Sequence, residues 1–131
     1  MNKMLAATFA LLVSLGLLAE GRFQNISTMD AQLLIQKEAN NPKFVILDVR
    51  TNAEFSEGHI AKAINIDFYG AGFKDEISKL PKDGIYLVYC RSGKRSATSS
   101  GIMADLAFVN IINMLGGITK WQSDGLPVVK K

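Results

Sequence analysis

Three short, nearly continuous apolar runs constrain the fold more than any other feature of the chain. They occupy residues 44–47 (FVIL), 85–89 (IYLVY) and 111–115 (IINML). Each is rich in β-branched or aromatic residues, and unbroken apolar strands are typical of a parallel sheet that is covered on both faces. Weaker strand candidates lie at 63–66 and, as an opening strand, at 23–26.

Helical patterns alternate with these runs. Ser27, followed three residues later by Asp30, is a start signal of the capping-box kind that predicts a helix over 28–39. A second helix is predicted over 95–108, and shorter ones near 52–57, 72–80 and 118–123. The predicted buried stripes hold Ala31, Leu34, Ile35 and Glu38 in the first helix, and Ala97, Gly101, Ala104 and Phe108 in the second. The alternation predicts an α/β domain with a mainly parallel sheet.

The first 21 residues predict a secretory leader. Lys3 precedes an uncharged stretch at 5–19, which is shorter than the roughly 20 apolar residues of a membrane-spanning helix. Small residues at Ala19 and Gly21 place the cleavage after Gly21 and leave residues 22–131 as one domain in the periplasm. The alternative is an uncleaved membrane anchor.

The chain has one cysteine, Cys90, among 131 residues. This count excludes an internal disulfide and a metal cage made of cysteines alone. The net charge of +3 is too small and too evenly spread to indicate a nucleic-acid partner. An oxidising compartment tends to drive thiols into disulfides. A lone cysteine in an exported protein therefore indicates that its thiol has a function.

Cys90 comes directly after the run 85–89 and shortly before the second long helix. Ligands of open parallel sheets bind beyond the carboxyl ends of strands, and a short loop entering a helix turns N–H groups toward an anion. Gly93 permits the tight curl, while the cations Arg91, Lys94 and Arg95 favour the thiolate and attract an anionic substrate. The alternative is a buried structural cysteine in a solvated basic turn.

Four motifs in order resemble those of the single-domain rhodaneses, the thiosulfate sulfurtransferases. The loop Cys90-Arg91-Ser92-Gly93-Lys94-Arg95 resembles their active-site pattern Cys-x-x-Gly-x-Arg. The flanking matches are Leu47-Asp48-Val49-Arg50, Glu54-Phe55 with Glu57-Gly58-His59-Ile60, and Leu115-Gly116-Gly117-Ile118 with Trp121. Together with the leader, the chain is most similar to exported, phage-shock-type rhodaneses.

This resemblance implies a rhodanese-like three-layer domain, with a mainly parallel sheet flanked by helices, that moves sulfur. Cys90 would take the outer sulfur of thiosulfate as a persulfide and pass it to cyanide or a thiol. Residues 91–95 would bind the substrate, with N–H donors from the loop and cationic side chains from Arg91, Lys94 and Arg95. Neither a metal nor an organic cofactor is implied, and the oligomeric state stays open.

Two other functions remain open at this point. Cell-cycle phosphatases and arsenate reductases on the same fold use a loop one residue longer, whereas Arg95 stands five positions after Cys90 and position six is Ser96. A non-catalytic sulfur carrier or partner-binding module is the second alternative.

Other polar residues are predicted to be mainly structural. Asp48 and Arg50 end the first long strand at the same sheet edge as Cys90, and a buried ion pair is favoured over a role in orienting the loop. His59, the only histidine, is predicted to be structural because a thiolate of low pKa needs no general base. The aromatic side chains of Phe55, Phe68, Phe73, Phe108 and Trp121 are predicted to form core.

Overall fold

The computed structural model describes residues 22–130, which form a parallel sheet with helices on both faces. The predicted leader lies outside the described residues. The strands are β1 (Gln24–Ile26), β2 (Phe44–Asp48), β3 (Ile64–Asn65), β4 (Ile85–Tyr89) and β5 (Asn110–Met114). Within this range the sheet has five strands in the order β1-β5-β4-β2-β3, and every pairing is parallel.

The described helices are α1 (Thr28–Lys37), α2 (Asn52–Glu57), α3 (Phe73–Ser78), α4 (Lys94–Asp105) and α5 (Gly117–Ser123). One face of the sheet packs against α3 and α4, where Phe73, Ile77 and Met103 join the core. The other face packs against α1 and α5 through Ala31, Ile118 and Trp121. The predicted three-layer α/β architecture is therefore confirmed.

Strand β4 lies at the centre of the sheet, between β2 and β5. Residues 86–89 are fully buried, as expected for a strand covered on both faces. Because the strands are parallel, the carboxyl ends of β2, β4 and β5 lie at one edge of the sheet. The segment that follows β4 begins with Cys90 at this edge.

The stripe predicted for the second long helix is wrong. In α4 the fully buried residues are Ser96, Ser99, Ser100 and Met103, whereas Ala97, Gly101 and Ala104 are only half-buried. The serines can face the sheet because each hydroxyl donates to a backbone carbonyl one turn earlier, at Gly93, Arg95 and Ser96 respectively. Phe108, predicted in the same stripe, is buried beyond the end of the helix.

The first long helix is bounded nearly as predicted. The Ser27 hydroxyl accepts from the Asp30 N–H at 3.1 Å, and α1 ends at Lys37 rather than at residue 39. Ala31 is buried, and Leu34, Ile35 and Glu38 are half-buried.

No helix within residues 22–130 is long and apolar enough to cross a lipid bilayer.

Candidate active site

Cys90 lies at the start of a tight loop between β4 and α4, and it is 1% exposed. Gly93 closes the loop with φ of +109°, a left-handed conformation that favours glycine. Its N–H donates to the Cys90 sulfur at 3.1 Å. The loop thus curls around the sulfur, as its sequence predicts.

Burial and hydrogen bonding act in opposite directions on the Cys90 thiol. Burial in the core raises the pKa. Hydrogen bonding by Ser96, Gly93 and Ser92 lowers the pKa by more than burial raises it, so the net pKa lies below the usual thiol value. Ser96 contributes through both its hydroxyl and its backbone. Because donors stabilise the anion, the loop favours a thiolate even though the sulfur is buried.

The Ser96 hydroxyl has two acceptors within reach and only one proton to donate. It donates to the Gly93 carbonyl oxygen at 3.2 Å, and of the hydrogen-bonding groups that lower the pKa of the Cys90 thiol it has the largest effect. An anionic acceptor forms the stronger hydrogen bond, so ionisation of Cys90 turns this proton toward the sulfur. Sequence reasoning used Ser96 only to measure loop length and did not identify it as part of the site.

Arg95 is engaged by Glu54 of α2 rather than free for a ligand. Its Nη1 and Nη2 donate to the two carboxylate oxygens of Glu54 at 2.9 and 3.1 Å. Its guanidinium also lies 5.5 Å from the ring centre of Tyr69, which is exposed. Of the three cations predicted to hold an anion, Arg95 therefore already has a carboxylate partner.

Arg91, Ser92 and Lys94 are exposed at the loop surface. Among the described residues, neither the Arg91 guanidinium nor the Lys94 ammonium donates to a side chain or carbonyl. Arg91 also lines a polar cavity of about 360 Å³, and Arg50 is among its other lining residues. Of the three cations predicted to bind an anion, Arg91 and Lys94 have no carboxylate partner among residues 22–130.

Asp48 and Arg50 form the buried ion pair that the sequence favoured. Arg50 Nη2 lies 2.7 Å from Asp48 Oδ2, and the Arg50 N–H donates to Asp48 Oδ1 at 2.8 Å. Burial lowers the pKa of Arg50, but the adjacent Asp48 carboxylate outweighs it and the pKa is raised. Arg50 Nη2 also donates to the Gly58 carbonyl at 2.7 Å, which joins β2 to the segment after α2.

His59 occupies a structural position. Its ring stacks on Phe55 with the ring centres 3.7 Å apart, and its Nδ1 lies 2.9 Å from the Phe55 carbonyl oxygen. Its backbone pairs with Val129 in an isolated antiparallel bridge.

Of the aromatic residues predicted as core, Trp121, Phe73 and Phe108 are buried, while Phe55 and Phe68 are half-buried.

The start of α5 contacts the Cys90 loop directly, which the sequence did not predict. The N–H groups of Ile118 and Thr119 donate to the carbonyls of Cys90 and Arg91 at 2.9 and 3.1 Å. Gly117 has φ of +59°, and a Cβ there would lie 2.4 Å from the Arg91 oxygen. In the sequence this glycine pair contributes only to the carboxyl-terminal motif of the resemblance, and nothing local to it shows that its close approach to the loop requires a residue without a side chain.

Comparison with known proteins places this site in a family context. The family model described as Rhodanese-like domain matches residues 31–124. A sulfurtransferase of Allochromatium vinosum is 31% identical over 104 residues, covering 79% of this chain and 95% of that protein. A thiosulfate sulfurtransferase of Coxiella burnetii is 28% identical, covering 77% and 89%. The crystal structure of a rhodanese-related protein from Thermoplasma volcanium superposes with a TM-score of 0.70 at 30% identity. The match covers 83% of this chain and 100% of that chain.

Proposed function

The chain belongs to the rhodanese family, and from that membership we propose that it is a thiosulfate sulfurtransferase that carries sulfane sulfur on Cys90. The single observation that carries the proposal is the environment of the sulfur. Cys90 is 1% exposed, yet hydrogen bonds from the loop hold its pKa below the usual thiol value. A buried cysteine in a purely structural role would show a raised pKa instead.

The first half-reaction is a displacement at sulfur. The Cys90 thiolate attacks the outer sulfur of thiosulfate, a new S–S bond forms, and the S–S bond of thiosulfate breaks. Sulfite leaves with the electron pair, and the transferred sulfur stays on Cys90 as a persulfide anion. The charge is the same before and after this step, so no proton has to move.

The second half-reaction regenerates the thiolate. A thiophilic acceptor, such as cyanide or a thiolate, attacks the terminal sulfur of the persulfide, and the bond to Cys90 breaks. With cyanide the product is thiocyanate. The loop N–H groups that stabilise the thiolate are also positioned to stabilise the persulfide, because both anions are centred on sulfur at the same end of β4.

The leaving sulfite needs positive charge near the loop. Arg91 and Lys94 supply it, since both are exposed and Arg95 is paired with Glu54. The pairing leaves Arg95 as a residue that fixes the loop against α2 rather than as a direct anion ligand. This modifies the initial expectation that all three cations hold the oxyanion.

The loop length argues against a phosphatase. Arg95 is five positions after Cys90, so the loop is one residue shorter than the one that encloses a phosphate-sized oxyanion. We expect no measurable hydrolysis of an aryl phosphate by this protein.

Mass spectrometry and turnover test the proposal together. Incubation with thiosulfate is expected to add the mass of one sulfur atom to the intact protein, and addition of cyanide is expected to release thiocyanate and restore the original mass. Cys90→Ser should do neither. Sulfur loading without multiple turnover would instead support a non-catalytic carrier, and aryl phosphate hydrolysis without sulfur loading would support the phosphatase.

We also propose that the protein acts in the periplasm after removal of residues 1–21. The charge and length of this segment support export. Amino-terminal sequencing of protein recovered from the periplasm is expected to begin at Arg22, and an intact Met1 would contradict the cleavage.

A further inference from the structure

We propose that Gly117 and the N–H group of Thr119 are positioning elements for the nucleophile, because they fix the orientation of the first peptides of the Cys90 loop. The inference rests on the proposed role of Cys90 as the attacking group. It concerns residues that lie in a different part of the sequence from the loop and that do not themselves touch the sulfur.

The hydrogen bonds between α5 and the loop fix two successive carbonyls. The Cys90 carbonyl accepts from Ile118 at 2.9 Å, and the Arg91 carbonyl accepts from Thr119 at 3.1 Å. In a planar trans peptide the carbonyl and the following N–H point in opposite directions. When Thr119 holds the Arg91 carbonyl toward α5, the N–H of Ser92 is therefore turned away from α5.

The sulfur is bonded by the N–H of the residue that follows, since Gly93 donates to Cys90 Sγ at 3.1 Å. The Ser92 N–H, one peptide earlier, also acts on the thiol and lowers its pKa. A rotation of the 91–92 peptide would break the Thr119 bond and turn the Ser92 N–H away from the thiol in one motion. The contact to α5 thus stabilises the loop conformation that carries an anion.

Gly117 makes this contact sterically feasible. A Cβ at this position would lie 2.4 Å from the Arg91 oxygen and 2.6 Å from the Cys90 oxygen. Both obstacles are backbone atoms of the loop, so they cannot rotate aside as a flexible side chain can. Any larger residue at position 117 would have to push the loop away from α5 and so change the direction of the same two peptides.

Thr119→Pro provides the sharpest test, with Thr119→Ala as its matched control. Proline removes the N–H that bonds the Arg91 carbonyl, and the first turn of a helix tolerates it. Alanine keeps the N–H and removes the same exposed side chain. Gly117→Ala is the second variant, in which the loop is displaced by contact rather than by loss of a donor.

The readout is the rate at which iodoacetamide alkylates Cys90 as a function of pH, measured beside kcat for sulfur transfer. Thr119→Pro and Gly117→Ala are expected to move the alkylation midpoint to higher pH and to reduce alkylation at pH 7 roughly 5-fold, as expected when a hydrogen bond to a charged group is weakened. Thr119→Ala should match the wild type. Circular dichroism and thermal melting identify the folded variants.

Three outcomes would overturn the inference. The first is a folded Thr119→Pro protein with the same alkylation profile as Thr119→Ala. The second is a change in kcat without any change in that profile. The third, which needs no variant, is rapid hydrogen exchange of the Ile118 and Thr119 amides in the wild-type protein. Alkylation requires no sulfur transfer, so a wild type that fails to transfer sulfur would contradict the proposed function alone.

Discussion

Arg95 and Glu54 are joined by two hydrogen bonds of 2.9 and 3.1 Å, which connect the first turn of α4, directly after the Cys90 loop, to helix α2. Glu54 is simultaneously the capping partner of Thr51 at the start of α2. A single carboxylate therefore fixes both the first turn of α2 and the first turn of α4, directly after the Cys90 loop. The hydrogen bond with Arg95 is the main reason that the pKa of Glu54 falls to about 2.

Glu54→Gln is expected to reduce the free energy of unfolding at neutral pH by roughly 1–3 kcal/mol, since the pKa shift sets an upper bound and the pair is partly solvated. A carboxyl whose pKa is depressed on folding stabilises the protein above its ordinary pKa. Its contribution is lost as the pH falls from about 4.5 to about 2. Urea unfolding of wild type and variant at several pH values measures this difference. Glu57→Gln, an exposed neighbour, is the control, and a pH-independent difference between wild type and Glu54→Gln would contradict the prediction.

Ser96→Ala is expected to raise the pKa of Cys90, because it removes the largest of the hydrogen bonds that hold it down. The thiolate fraction then falls, so alkylation and sulfur transfer at neutral pH become slower, and raising the pH restores the rate. Ser100→Ala is the matched control, since that buried hydroxyl bonds the Ser96 carbonyl instead of the sulfur. Equal pH profiles for the two alanine variants would show that the Ser96 hydroxyl does not act on the thiol.

Arg91→Ala and Lys94→Ala are each expected to raise KM for thiosulfate about 3- to 10-fold with a smaller effect on kcat, as expected for exposed charges that attract an anion. The loss should shrink as ionic strength rises. Steady-state kinetics at low and high salt measure it, and Lys74→Ala on the exposed side of α3 controls for net charge. If Lys74→Ala raises KM equally, the overall charge of the protein and not the loop is responsible.

Asp48→Ala is expected to cost about 3–5 kcal/mol of unfolding free energy, because it leaves the Arg50 guanidinium buried without its carboxylate. Replacing both residues, as in Asp48→Leu with Arg50→Leu, should cost less than the sum of the two single changes. The exposed Lys43–Asp83 pair offers the comparison, and Lys43→Ala should cost less than about 1 kcal/mol. Denaturant unfolding of Asp48→Ala, of the two leucine single variants, of the double variant and of Lys43→Ala distinguishes these cases, and strict additivity of the leucine changes would contradict coupling between Asp48 and Arg50.

The sheet was predictable because its central strands are continuous apolar runs in the sequence. The runs at 44–47 and 85–89 contain all of β2 except Asp48 and all of β4, and their order along the chain with helices between them fixes the parallel arrangement. The candidate 63–66 yields only the two paired residues of β3, since a strand at the sheet edge pairs on one side alone. The position of Cys90 follows from β4 directly, because it is the next residue.

The rest of the site depends on contacts between segments far apart in the sequence. Nothing local to Glu54 indicates that it pairs with Arg95, which lies 41 residues later. The orientation of α4 was also not predictable from apolar spacing. A serine whose hydroxyl donates to a carbonyl of the same helix can be buried in place of an alanine. The role of Gly117 becomes visible only when the carbonyls of the Cys90 loop are placed beside it.

The central position of β4 has a consequence for how the protein would unfold and lose activity. Its backbone is bonded to β2 on one edge and β5 on the other, so Cys90 is continuous with the strand that local fraying reaches last. A partly opened form that presents a bare, reactive thiol to the surroundings would require that strand to be released from both neighbours. On heating, loss of the Cys90 loop and collapse of the whole domain are therefore expected as one event, and a single inactivation temperature would describe both.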